Sequence, residues 1–303
     1  MKESYSPTNT ERTPAYEGCE VQNVNLVLEG GAMRGQFTAG VLDFFMDHGL
    51  WAKNVIGTSA GALNGYNYAA GELGRVCYLN TKYCEDPRYF SMKSFALTGS
   101  VMGIDFMFNQ VPNKLDPFNY EAFDNSPVTL HSVSSNLVTG EADYHEFKDS
   151  RTDIPYLIAS ASMPLVSRIV EVDGKKLLDG GTCDSVPLLH SMLLGNTDKH
   201  IVVLTQGPDY QKTPEKTMML LRRKYADYPY FIDRAEHRHF EYNRIYRWVQ
   251  RLHDEGEIFL IRPQKPVTIS NMEHDAEKLF DLYEQGYAEA ARIWNDLNAY
   301  LAR

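Results

Sequence analysis

Twice before residue 72 the chain runs from a short apolar strand through a glycine-bearing turn into a helix. Val24–Glu29 (VNLVLE) is apolar and bounded by Asn23 and Gly30, which predicts a buried strand. Gly30–Gly35 (GGAMRG) makes the turn. Phe37, Val41, Leu42, Phe45 and Met46 then recur at helical spacing and predict a helix over Gln36–Asp47, with Gly49 as its C-cap. Lys53–Gly57 reads as a second strand, and the small apolar run Ala60–Ala70 as a buried helix ending at Gly71. This order leaves few folds open. Successive strands joined through helices lie parallel, cross over right-handed and need helices on the sheet faces. The expected class is α/β.

Downstream, Val128–Val138 and Glu141–Phe147 flank Thr139-Gly140 as a hairpin, and Ser167–Val172 and Lys175–Asp179 flank Asp173-Gly174 as a second. Ile154–Ser162 is a short apolar helix stopped by Pro164. His200–Thr205 and Glu257–Arg262 read as strands, Thr213–Asp254 as helical with a break near Pro229, and Asn271–Leu301 as one long helix. Cys84–Ser126, punctuated by Pro87, Pro112 and Pro117, has weak periodicity, and long irregular stretches inside a compact domain are often functional. Met1–Asn23 is polar and carries none of the marks of a signal peptide, so it reads as a flexible tail.

Two of the turns carry chemistry. Gly57-Thr58-Ser59-Ala60-Gly61 is G-x-S-x-G between a strand and a helix. That context turns a common loop pattern into a nucleophile elbow, with Ser59 held at the bend and the helix N-terminus favouring negative charge nearby. Only one strand–helix unit precedes Ser59, too few for the usual α/β-hydrolase layout. None of the nine histidines stands in a recognisable catalytic context, so another base is needed. The turn Gly30, Gly31, Ala32, Met33, Arg34, Gly35 fails the phosphate-loop template, because Gln36-Phe37 stands where Lys-Ser/Thr is required. It reads either as a nest of backbone N–H groups aimed at an oxyanion or as a tight turn with glycines for steric reasons alone. Asp179-Gly180-Gly181, in isolation, reads as an ordinary turn. Burial and a hydrogen bond to a serine would make Asp179 a workable base.

In this order and spacing, the elements resemble the patatin-like phospholipases. The corresponding segments are the oxyanion loop Gly30–Gly35, the elbow Gly57–Gly61 and the D-G-G run Asp179–Gly181. Ala159-Ser160-Ala161-Ser162-Met163-Pro164 is similar to the A-S-x-x-x-P stretch that precedes that run. The resemblance covers roughly residues 24–207. It implies a three-layer α/β fold with a mostly parallel central sheet, a catalytic core over 24–207, and C-terminal helices with one strand (208–303) packed on that core. It also implies acyl transfer without cofactor or metal: Ser59 attacks a lipid or other acyl ester, Asp179 takes the proton, and loop amides near Gly31, Ala32 and Met33 hold the oxyanion. The departure is Ala32, which stands where the family has a third loop glycine. The Ala32 methyl is compatible with the loop if φ there is negative. The same resemblance leaves a transacylase and a non-catalytic lipid- or protein-binding module as alternatives.

Composition narrows the setting. A net charge of −10 argues against nucleic-acid binding, and four cysteines without metal spacing point to reduced thiols and a cytoplasmic protein. The charge is uneven: residues 212–254 carry ten Lys/Arg against six Asp/Glu, interleaved with aromatics. Three readings stand for this stretch: a solvated helical face with aromatics packed inward, a peripheral contact with anionic lipid headgroups, and RNA binding through interleaved basic and aromatic side chains. Met92, Met102 and Met107, with Phe90, Phe95, Phe106 and Phe108, read as core packing or as the lining of an acyl-chain pocket. Glu236, His237 and His239 resemble a metal cluster only superficially.

Overall fold

The computed structural model describes residues 14–303. Its strands are β1 (Val21–Leu28), β2 (Trp51–Thr58), β3 (Thr129–Asn136), β4 (Ala142–Glu146), β5 (Val170–Val172), β6 (Lys175–Asp179), β7 (His200–Val203) and β8 (Phe259–Ile261). They form one sheet, hydrogen-bonded in the order β5-β6-β3-β2-β1-β7-β8, with β4 also on β3. The centre, β3-β2-β1-β7-β8, is parallel throughout. Alternation sorts side chains to the two faces. Leu26, Leu28, Ile201, Val203, Phe259 and Ile261 enter one core, and Val27, Val202, Leu204, Ile258 and Leu260 enter another. The first core is covered by α1 (Gly35–Asp47), α2 (Ala60–Ala69), α10 (Ala276–Arg292) and α11 (Trp294–Leu301), the second by α7 (Leu188–Leu193) and α9 (Pro229–Asp254). The architecture is therefore α/β with helices on both sheet faces.

The register at β3 positions the site. Ser134 and Ser135 pair with both β4 and β6, while His131, Ser132 and Val133 pair with both β2 and β4. A residue has one neighbour on each edge, so β2 and β6 share the same edge of β3, end to end. β2 runs parallel to β3 and stops at Thr58, opposite Val133. β6 comes from the other direction and stops at Asp179, opposite Ser134. The residues that leave these strand ends, Ser59 and Asp179, are thereby brought face to face.

Several sequence expectations need correction. The flexible tail assigned to residues 1–23 lies outside the described residues as far as 13. From Pro14 onward it is packed, because Tyr16 meets Trp51 edge-on at 5.7 Å and its hydroxyl donates to the Ala122 carbonyl. Strand β1 also begins at Val21, earlier than expected, since Val21 and Gln22 pair with Trp51 and Ala52. The long helix expected over 271–301 starts at Ala276, where the Asp275 side chain caps it, and is interrupted at Ile293 between α10 and α11. The 213–254 helix divides into α8 (Met218–Lys224) and α9, which starts at Pro229. The stretch 84–126 holds α4 (Met92–Thr98) and a π-helical segment Phe106–Leu115, which share a separate apolar cluster, and α5 (Tyr120–Asp124), whose Phe123 joins the first core. The helices α3 (Arg75–Tyr83) and α6 (Ile154–Ser160) complete the set, α3 without a sequence signal. Among the described residues no helix is long and apolar enough to cross a membrane.

Candidate active site

Ser59 occupies the bend between β2 and α2 at φ 55° and ψ −120°. A side chain at such a φ is strained and persists only where its surroundings over-determine it. Here the constraint is close packing of the elbow. A Cβ added to Gly57 would lie 2.5 Å from the Gly61 carbonyl carbon, and one on Gly61 would strike the Leu28 carbonyl. Bare backbone at both positions lets the turn close onto β1, and the strain falls on Ser59. Of the four described non-glycine residues with positive φ, three (Ala32, Ser59 and Leu165) line one cavity. The fourth, Asp173, forms the β5–β6 turn.

At the end of β6, Asp179 accepts a hydrogen bond from the Ser59 hydroxyl, Oγ to Oδ2, at 2.6 Å. Its Oδ1 accepts the Gly181 amide at 2.8 Å. Its backbone is fixed from both sides: its N–H donates to the Ser162 carbonyl and its carbonyl accepts the Ser135 hydroxyl, each at 2.8 Å. Burial raises the carboxyl above its ordinary range. The Ser59 and Gly181 hydrogen bonds and the Arg238 and Lys212 charges oppose that rise. A carboxylate so placed is a stronger base than an exposed one and points at the hydroxyl it would deprotonate.

The glycine-rich turn is folded around two free amides. The Gly30 N–H donates to the Ser185 carbonyl, the Arg34 N–H to the Gly31 carbonyl, and the Gly35 N–H to the Ala32 and Met33 carbonyls. Among the described residues the Gly31 and Ala32 N–H groups have no acceptor. Met33, expected among the oxyanion donors, turns its N–H to the Asn271 carbonyl at 3.4 Å. The condition under which the Ala32 methyl suits the loop, a negative φ, is not met: φ is 48°, in the region glycine favours. Thr58 and Ala60 flank Ser59, with the Thr58 hydroxyl donating to the Asp184 carbonyl at 2.9 Å. Gly180 lies against the Val133 carbonyl and Thr58 at the β2–β6 junction.

One contributor had only a motif as its signal. The Ser160 hydroxyl accepts the Ser59 N–H at 2.9 Å and donates to the Val133 carbonyl at 2.6 Å. It thus ties the elbow to β3 and removes the Ser59 amide from the donors available to a ligand. Behind the glycine-rich turn, the buried Glu29 accepts from Thr205 N–H, Thr205 Oγ1 and the hydroxyls of Tyr242 and Tyr246. No sequence pattern marked this network, because its members lie just after β1, after β7 and on α9.

Ser59 opens onto an apolar cavity of about 150 Å³ whose lining includes Leu63, Phe90, Met102, Met107, Phe108 and Met163. Of the methionines and phenylalanines read as core or pocket lining, Met92 is exposed, and Phe95 and Phe106 pack in the cluster that Phe90 and Met102 share with the cavity wall. In the basic stretch, Tyr225, Phe231, Tyr242 and Tyr246 are buried while Arg222, Arg223, Lys224, Arg244, Arg247 and Arg251 face outward. His237 and His239 bind carbonyls of their own helix through Nδ1, and no described group of residues could hold a metal ion.

Comparison with known proteins gives this arrangement a context. Residues 26–192 match the family model described as patatin-like phospholipase. Residues 228–302 match a second, described as a domain of unknown function (DUF6363). The uncharacterized protein YjjU of Escherichia coli K12 is 25% identical over 252 residues, covering 80% of this chain and 69% of its own. The uncharacterized NTE family protein Rv1063c of Mycobacterium tuberculosis H37Rv is 25% identical over 193 residues, 63% of this chain and 51% of its own. Lysophospholipase NTE1 of Lodderomyces elongisporus is 26% identical over 198 residues, 63% of this chain and 13% of its own. The chain therefore spans about half the length of the mycobacterial relative and a small part of the fungal one.

Proposed function

The chain belongs to the patatin-like phospholipase family, and from that premise we propose that it is a serine lipid acyl hydrolase working through a Ser59–Asp179 dyad. The observation that carries this reading is the 2.6 Å hydrogen bond between the two side chains, buried at the mouth of an apolar cavity. Asp179 takes the Ser59 proton as Oγ attacks the ester carbonyl. The Gly31 and Ala32 amides receive the oxyanion of the tetrahedral intermediate, a contribution that exists only once charge has developed. The alcohol leaves with the proton from Asp179. Water, deprotonated by the same carboxylate, then attacks the acyl carbon, and Ser59 Oγ leaves taking that proton back from Asp179. The acyl chain lies in the cavity beside Leu63 and Met107. The lysophospholipase name of the fungal relative supports a lipid ester as substrate.

Access to such a substrate is through a lipid surface. Met219 and Leu220 on α8 stand 84% and 56% exposed beside Arg222, Arg223 and Lys224. Apolar tips next to cations suit the boundary of an anionic membrane, so residues 212–254 are its proposed contact. Residues 208–303 are read as part of one unit with the core, since β8 pairs with β7.

Ser59→Ala is expected to abolish turnover of p-nitrophenyl butyrate, and a fluorophosphonate probe is expected to label wild-type Ser59. Esterase activity surviving in purified Ser59→Ala protein, or absence of labelling, would refute the dyad.

A further inference from the structure

Ser59 stands between two unlike spaces. One is the apolar cavity. The other, about 250 Å³, is also lined by Ser59 and Asp179, but its mixed wall brings in three cationic side chains. Arg34 comes from the turn before α1, Lys212 from the loop before α8 and Arg238 from α9. Glu215 is the one carboxylate besides Asp179 on this wall, and its Oε1 is taken by the Thr217 N–H and hydroxyl at 2.9 and 2.6 Å.

Of the three cations, Lys212 and Arg238 feel the Asp179 and Glu215 charges at a distance, and Lys212 also that of Glu29. None forms a salt bridge among the described residues. Arg34 Nη1 donates to the Asn271 side chain, while its Nε is buried without a partner. Arg238 Nη2 reaches Ser185 Oγ at 3.5 Å, and its Nε too is buried and unpartnered. Lys212 Nζ lies 4.6 Å from the centre of the Tyr242 ring. Burial and the neighbouring Arg238 charge push this ammonium down to about 8. Half-buried like charges side by side, with guanidinium Nε atoms buried and unpartnered, are costly. Such a cluster is repaid when an anion with several acceptor oxygens enters it, and Arg is the residue best matched to one.

We propose that this second cavity is an anion subsite holding the phosphate of a glycerophospholipid, while the acyl chain fills the apolar cavity and the ester lies at Ser59. The proposal rests on the dyad reading given above. It also assigns work to sequence outside the family match of residues 26–192: Lys212 and Arg238 both lie beyond it, and Arg238 lies in the segment of unknown function.

The test compares lysophosphatidic acid with a monoacylglycerol of the same chain, both below micelle-forming concentration. The wild type is expected to prefer the phosphate-bearing lipid. In R238Q and in K212M the ratio of the two kcat/KM values is expected to fall about 10- to 100-fold, the loss of one charge-assisted contact, and mainly through KM. K212R, which keeps the charge, is expected to restore most of the ratio. Glycerol 3-phosphate is expected to inhibit more strongly than inorganic phosphate. A ratio that stays constant while both activities decline would reduce the cations to structural parts and overturn the proposal. Equal inhibition by inorganic phosphate would assign the cavity to the free ion and overturn the headgroup role. Failure of the dyad is distinguishable, because it would appear as activity in Ser59→Ala whatever the ratio.

Discussion

In the proposed dyad a single carboxylate kept out of water sets the chemistry. Burial raises Asp179, and the nearby Arg238 and Lys212 charges hold that rise in check. As a base it must be ionised, so kcat/KM for a neutral ester is expected to fall with decreasing pH at a midpoint above the ordinary carboxylate value of about 4. In R238Q the midpoint is expected to move higher still, because a cation favouring ionisation is gone; a fixed midpoint would argue against this coupling. The stability consequence has the opposite direction. A carboxyl whose folded pKa exceeds its unfolded one destabilises the protein progressively as pH rises through that interval. Asp179→Asn is therefore expected to lose about 10²–10⁴-fold in turnover, yet to melt above the wild type at pH 7 and level with it near pH 3. Ser59 and Asp179 were both legible as residue types in motif context. The φ of 48° at Ala32 was not, since a local sequence with alanine there gives no reason to expect a conformation that suits glycine.

Among the elements, the decisive juxtaposition is β2 and β6 meeting end to end on β3. Both strands were legible, as was the second hairpin, because apolar runs and an Asp-Gly turn are local signals. Their shared edge was not, since register depends on β3, whose pairing with β4 leaves that edge open. A second close approach joins α1 to α10. A Cβ on Gly40 would collide with the Tyr283 carbonyl, and one on Gly286 with the Phe37 carbonyl. The colliding atoms are backbone, so no side chain can swing aside. Gly286→Ala is expected to cost about 3 kcal/mol or more through forced helix separation, a fall in Tm of roughly 6–12 °C by calorimetry. An unchanged Tm would show that the two helices separate without penalty.

Across the whole molecule, the question is what residues 208–303 contribute. β8 extends the parallel sheet beyond β7, α10 covers α1, and Tyr242 and Tyr246 of α9 satisfy the buried Glu29 behind the glycine-rich turn. Removal would leave an apolar sheet edge open and a carboxylate buried without two of its donors, and breaking such networks is strongly destabilising. A chain ending at residue 207 is therefore expected to show no cooperative thermal transition by circular dichroism and no esterase activity. A sharp melt with retained activity would mean that the first 207 residues fold and work alone. The net charge of −10 conceals the asymmetry behind this dependence. The cations nearest Asp179 come from the one basic stretch in an acidic chain.

By itself the sequence determined the α/β class, the strand–turn–helix units and the residue types at both ends of the Ser59–Asp179 hydrogen bond. Each of these depends on interactions within a few residues: apolar periodicity, turn chemistry, and glycines where backbone must pass close to backbone. The tertiary structure alone decided which loop amides stay free, that Ser160 clamps the elbow, and that Lys212 and Arg238 return to the cavity beside Ser59. Those outcomes depend on contacts between segments far apart in the chain, formed when packing brings strand ends and helix faces together.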